Sequence, residues 1–120
     1  MAAHNDLGVL GEEIALKHLM GKGYKLLDKN WRHRQYELDL IMRIGDELVV
    51  VEVKTRKSLY GGDPEVAVNR HKQRLLIRAA NAYVQHYGLD MPVRFDILSV
   101  VIKGEEHFVH HIEDAFYAMM

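Results

Sequence analysis

The stretch that decides the fold is Glu37-Leu-Asp-Leu-Ile-Met-Arg-Ile-Gly-Asp-Glu-Leu-Val-Val-Val-Glu-Val-Lys54. At its centre, Ile44-Gly45-Asp46-Glu47 sets Gly-Asp between two apolar segments. A two-residue loop with glycine first is the signature of a β-hairpin closed by a type II′ turn. That loop sets a register. Ile44 faces Glu47, Leu40 faces Val51, and Leu38 faces Val53. Asp39 faces Glu52, and Glu37 faces Lys54. Strand side chains alternate between faces. One face then carries Tyr36, Leu38, Leu40 and Met42 opposite Val49, Val51 and Val53, and is expected to be core. The other carries Ile41 and Arg43 opposite Val50 and Leu48, then Glu37, Asp39, Glu52 and Lys54 at its far end.

Charges inside an apolar run need a physical reason, because an ionised group buried without a partner costs several kcal/mol or shifts its pKa. Directly opposed residues have Cβ atoms about 4.5–5.5 Å apart. Two carboxylates that close repel by about 3 kcal/mol at an effective dielectric near 20. Lys54 relieves part of this. A divalent cation between Asp39 and Glu52 relieves it better, and hard cations favour oxygen ligands. The alternative is a solvated charge ladder on an open sheet face. It explains poorly why Val49 to Val53 is so apolar around Glu52.

Working outward, residues 6–20 read as a helix capped by Asn5 or Asp6 and ended by Gly21 and Gly23. Glu13 and Lys17 form an i,i+4 pair on its solvated side. Glu12 shares a stripe with Leu16 and Leu19 and is expected to point inward. Residues 24–31 are a weak strand candidate, and residues 35–43 and 47–55 are strong ones. Residues 58–62 form a loop with two glycines. Asp63-Pro64-Glu65 reads as the start of a helix running to Tyr87. Residues 93–102 and 107–112 are strands, and residues 113–119 a short last helix. This order implies one α/β domain, a mixed sheet with helices against it.

The chain has 120 residues, 48% hydrophobic, enough for a core without staples. There are no cysteines, so disulfides and thiolate metal sites are excluded. No apolar stretch approaches the roughly 20 residues of a membrane helix, and no secretory signal is visible at the start. The expectation is a cytoplasmic protein with no membrane partner. The net charge is −1, so any contact with a polyanion must come from a local patch.

Asp39, then Glu52-Val53-Lys54, resembles the catalytic pattern of the PD-(D/E)XK nuclease superfamily. Gly11-Glu12-Glu13, Gly23-Tyr24, Asn30-Trp31-Arg32, Glu37 to Ile41, Val51 to Arg56, Lys72 and Arg94-Phe95-Asp96 follow in order. Together they resemble the YraN-like family of small bacterial proteins, over about residues 7–118. The resemblance implies a restriction-endonuclease-like mixed β-sheet flanked by helices, related to Holliday-junction resolvases. It implies Asp39, Glu52 and Glu12 as acids holding Mg²⁺ or Mn²⁺, and Lys54 as the cation steadying the attacking water or the phosphorane charge. The implied activity is metal-dependent endonucleolytic hydrolysis of DNA, with branched or structured DNA as the substrate and a homodimer as the assembly. A nucleic-acid-binding module with a non-catalytic site is the alternative. The chain departs from the family at Tyr36, where glycine is common.

Arg70, Arg74 and Arg78 make a basic stripe at i, i+4 and i+8, with His71 and Lys72 beside it. They are candidates for contact with a nucleic-acid backbone, as is Arg56, with Lys57 and Tyr60 in the following loop. Glu37, Arg94 and Asp96 are expected to support the site, the last two as a salt bridge on one strand face. His107, His110 and His111 do not suit a shared metal, since adjacent His110 and His111 point to opposite faces of a strand.

Overall fold

The computed structural model describes residues 3–57 and 68–116, with side chains from residue 6 onward. Helix α1 (Ala3–Gly21) is followed by strands β1 (Lys25–His33), β2 (Tyr36–Ile44) and β3 (Glu47–Arg56). Helix α2 (Arg70–His86) then leads to β4 (Val93–Lys103) and β5 (Glu106–Phe116). The strands form one mixed sheet in the order β1-β2-β3-β4-β5. Among the described strands only β3 and β4 run parallel, as a pair joined through a crossover helix must. This is the helix-flanked mixed sheet expected of a restriction-endonuclease-like fold.

The hairpin is where the sequence puts it. Leu40 pairs with Val51, Met42 with Val49, and Ile44 with Glu47. Gly45 takes the positive φ, +57°, that the first loop position requires. Beyond Leu40 the ladder stops, so the expected backbone pairs Leu38–Val53, Asp39–Glu52 and Glu37–Lys54 do not form.

The expected division into a core face and a charged face also changes, because both faces of the sheet are covered. Leu40, Met42, Val49, Val51, Leu98 and Val100 pack with Ala15 and Leu19 of α1. Leu38, Ile41, Leu48, Val50 and Ile97 pack with Leu76, Ala79, Ala80 and Tyr83 of α2. A strand buried on both sides reads as a continuous apolar run, which explains Leu48 to Val51. Leu38 lies with Ile41 rather than with Leu40, so the alternation of β2 breaks near Asp39. Opposite that break Asn30 of β1 adopts φ +51°.

Two other expectations are corrected. α2 is capped by Asn69, whose backbone is extended and whose side chain accepts from the Lys72 N–H. It therefore does not run unbroken from Asp63. Residues 58–67, including Tyr60 and the Asp63-Pro64-Glu65 start, lie outside the described residues. Residues 113–116 continue β5 instead of forming a helix, and residues 117–120 lie outside the described part. Phe116 stays with the sheet because it pairs with Phe95 and stacks on its ring at 5.0 Å.

α1 packs tightly on Thr55 of β3 at Gly11. A Cβ there would overlap the Thr55 hydroxyl and lie 2.7 Å from the Thr55 Cβ. Gly11→Ala is expected to destabilise the protein by about 1–3 kcal/mol in denaturant unfolding, as overpacking does. Adding Thr55→Ala should restore only part of this, because the Thr55 Cβ remains.

Candidate active site

The site lies where the sheet opens. β2 stays paired with β1 down to Tyr36–His33, and β3 stays paired with β4 up to Arg56–Val101. Between them, past Leu40–Val51, the backbone ladder is replaced by a side chain. The Val53 N–H donates to Asp39 Oδ2 at 2.9 Å. Asp39 is thereby held inside the opening, where groups from both faces reach it.

From the α1 side come Glu12 and Glu37. Their carboxylate oxygens and one of Asp39 lie within 4.8 Å of one another. Asn30 holds the pair in place, its amide donating to Glu12 Oε1 at 3.0 Å and to Glu37 Oε1 at 3.2 Å. Glu37 also pairs with Arg32 at 3.2 Å. A cavity of about 100 Å³ opens beside Glu12, Lys29 and Asn30.

From the α2 side come Glu52, Lys54 and Lys72. Glu52, with its side chain 8% exposed, pairs with Lys72 Nζ at 3.1 Å. It also lies beside Asp39 and acts on its protonation. Lys54 and Lys72 lie close enough for each to act on the other's protonation. Tyr36, half-buried against the α2-side core, senses the charges of Lys72, Glu52 and Asp39.

The electrostatics follow from this crowding. Burial, then the neighbouring Glu52 carboxyl, push the Asp39 carboxyl up to about 9. This favours the protonated form of Asp39 near neutral pH. Burial and the neighbouring Lys72 push Lys54 down. Burial also pulls on Lys72, but Lys54 and the Glu52 carboxylate outweigh it and the net shift is upward. Of the two lysines, Lys72 holds the proton more firmly.

The structure brings Asp39 together with Glu12 on one side and places Glu52 and Lys54 on its other side, so the converging set of carboxylates does not include Glu52. It adds Glu37 to the acids, although its partners are Asn30 and Arg32 rather than Lys54. It draws Lys72 away from the basic stripe and onto Glu52. Arg70, Arg74 and Arg78 stay on the exposed side of α2, and Arg56 is half-buried at the end of β3. Arg94 and Asp96 form a separate network. Asp96, fully buried, takes two bonds from Arg94 at 2.8 and 2.9 Å, one from the Asp114 N–H at 3.0 Å, and pairs with His111 at 2.7 Å. Arg94 continues to Tyr24, Glu47 and Glu113. None of these partners is one of the site acids. Asn30, Tyr36 and the inward role of Lys72 were not assigned from sequence. Asn30 carried one signal, since asparagine tolerates positive φ better than most residues.

The same arrangement can be set beside known proteins. The sequence profile of the uncharacterised protein family UPF0102 matches residues 11–100. The chain belongs to this family. The UPF0102 proteins of Parabacteroides distasonis and Flavobacterium psychrophilum are 48% and 44% identical to it, each over 98% of both chains. The UPF0102 protein of Porphyromonas gingivalis is 48% identical over 97% of this chain and 87% of its own. The UPF0102 match contains Glu12, Asn30, Glu37, Asp39, Glu52, Lys54 and Lys72, and so the whole site.

The raised pKa of Asp39 has a measurable consequence. The folded protein holds a proton that the unfolded chain loses near the ordinary carboxyl range. Stability from this group is therefore full at low pH and is lost as pH rises toward about 9. Asp39→Asn keeps a donor toward Glu52 and an acceptor for Val53 while removing the titration. In EDTA it is expected to raise the melting temperature near about pH 8 and to change it little near about pH 4, compared with wild type.

Proposed function

We propose that this protein is a metal-dependent nuclease of the PD-(D/E)XK type that hydrolyses phosphodiester bonds in DNA. The carrying observation is that Asp39, in the sheet opening, touches acids on one side and an acid with two lysines on the other. The donor set fits a hard divalent cation. Glu12, Glu37 and Asp39 offer carboxylate oxygens at one place, and Asp39 holds a proton that a cation would displace. Asp39, with Glu12, Glu37 and Glu52 around it, would hold Mg²⁺ or Mn²⁺. Once bound, the ion would supply Lewis-acid polarisation of the phosphate and a water of lowered pKa.

The protein's own groups do the rest. Asn30 orients Glu12 and Glu37. Lys72 neutralises Glu52 and keeps its carboxylate facing the opening. Lys54 offers an amine beside the acids, able to hold the attacking water or to meet charge developing on the phosphate. Tyr36 packs at the α2 side, beside Lys72, Glu52 and Asp39. Arg70, Arg74 and Arg78, exposed along α2, can hold the backbone of a longer substrate without reading its sequence.

One observation favours a second reading, a binding module without turnover: Glu52 is paired with Lys72 at 3.1 Å, within the protein's own charges.

Cleavage separates the two. Labelled DNA substrates, linear, gapped and branched, are incubated with Mg²⁺, with Mn²⁺ and with EDTA. Metal-dependent cleavage is expected, lowered about 100-fold or more by Lys54→Ala and by Glu52→Gln. Binding without cleavage on every substrate, or cleavage unchanged in both variants, contradicts the nuclease reading.

A further inference from the structure

β1 continues beyond Asn30 into residues of which Arg32 alone is bonded to the acid site, through Glu37. Trp31, Arg32, His33 and Arg34, with Gln85 and His86 at the end of α2, line an open groove of about 660 Å³. Its aromatic side is built as a unit. The Trp31 ring meets Tyr83 edge-on at 5.1 Å, and lies within 4° of parallel to His33 at 6.3 Å. Exposed Tyr87 extends the cluster through His86 at 4.6 Å.

Its charge is one-sided. α2 carries no acid in seventeen residues, in a chain whose net charge is −1. Of the acids nearby, Glu37 is already paired with Arg32, and Asp28 acts on the Tyr83 phenol. Arg34 is also conformationally unusual. It sits at φ +58° in the β1–β2 turn, where glycine or asparagine would be relaxed. A long cation held in a sparsely populated conformation at a groove edge points to a task for that cation.

We propose that this groove binds an unpaired stretch of nucleic-acid strand. Arg32 and Arg34 take the phosphates, and bases stack on Trp31, His33 and His86. An aromatic and basic groove suits unpaired bases, whose faces are free, rather than a duplex, whose faces are already stacked. The proposal rests on the nuclease reading in one respect: it names the substrate as nucleic acid with a single-stranded segment beside the acids. The two regions adjoin, since Asn30 directly precedes Trp31 and Arg32 bonds Glu37.

Trp31 is the only tryptophan in the chain, so its fluorescence reports on the groove directly. A short pyrimidine single strand and a blunt duplex of equal length are titrated in EDTA. The single strand is expected to quench Trp31 saturably and to bind about tenfold or more tighter than the duplex. Arg34→Gly relaxes the turn while removing the charge. It should weaken binding several-fold and reduce the log–log salt slope by about 0.7, the loss of one phosphate contact. His33→Ala should weaken binding without changing that slope. No saturable quenching, equal affinity for duplex, or wild-type affinity in Arg34→Gly overturns the proposal. Because EDTA removes any contact made through a metal, quenching without cleavage strikes the nuclease reading alone. Cleavage without quenching strikes the groove alone.

Discussion

A single hydrogen bond, from the Val53 N–H to the Asp39 carboxylate, closes the sheet where its backbone ladder ends. β2 follows β1 and β3 follows β4, so the two halves part beyond Leu40 and Val51. A buried N–H left there without an acceptor would be costly. Asp39 satisfies it and is fixed between the halves. Through that opening the α1 side contributes Glu12, Glu37 and Asn30, and the α2 side contributes Glu52, Lys54 and Lys72. The apolar layers on both faces leave these charged groups at most half-exposed, which strengthens their charge interactions relative to open water.

Asp96 and Asp39, two acids of the same sheet, show how different such placements can be. Burial pushes on both. Asp96 is nevertheless held below the ordinary carboxylate range, because His111, Arg94 and the Asp114 N–H all bond it. Asp39 has one backbone donor and other acids for neighbours, so it goes up. Asp96 is complete as it stands and belongs to the framework that ties β4 to β5 and to Tyr24. Asp39 is a carboxyl with more negative charge around it than its own protein partners can balance, the condition a divalent cation relieves.

Much of this was legible in the sequence. Gly45-Asp46 fixed a hairpin whose register holds to Leu40–Val51, and the stripe of Glu12 with Leu16 and Leu19 turned Glu12 inward. The break at Asp39 was not legible. A local alternating pattern reads straight through it, and only the parting of the two strand pairs interrupts it. The role of Lys72 had a signal that the arginine stripe obscured. Lys72 leads the spacing Leu76, Ala79, Ala80 and Tyr83, the buried side of α2, whereas Arg70, Arg74 and Arg78 lie on another. Residues 113–116 read as helix because their partners, Phe95 and Asp96, are distant in sequence.

The central claim is that Asp39 exchanges a proton for a cation at this opening. Calorimetric titration of Mn²⁺ into the protein, near about pH 7 in two buffers of different ionisation enthalpy, tests it most directly. The expected result is one binding process that releases a proton, and that Asp39→Asn abolishes. Binding that persists in Asp39→Asn with unchanged affinity, binding without proton release, or no binding to wild type contradicts it.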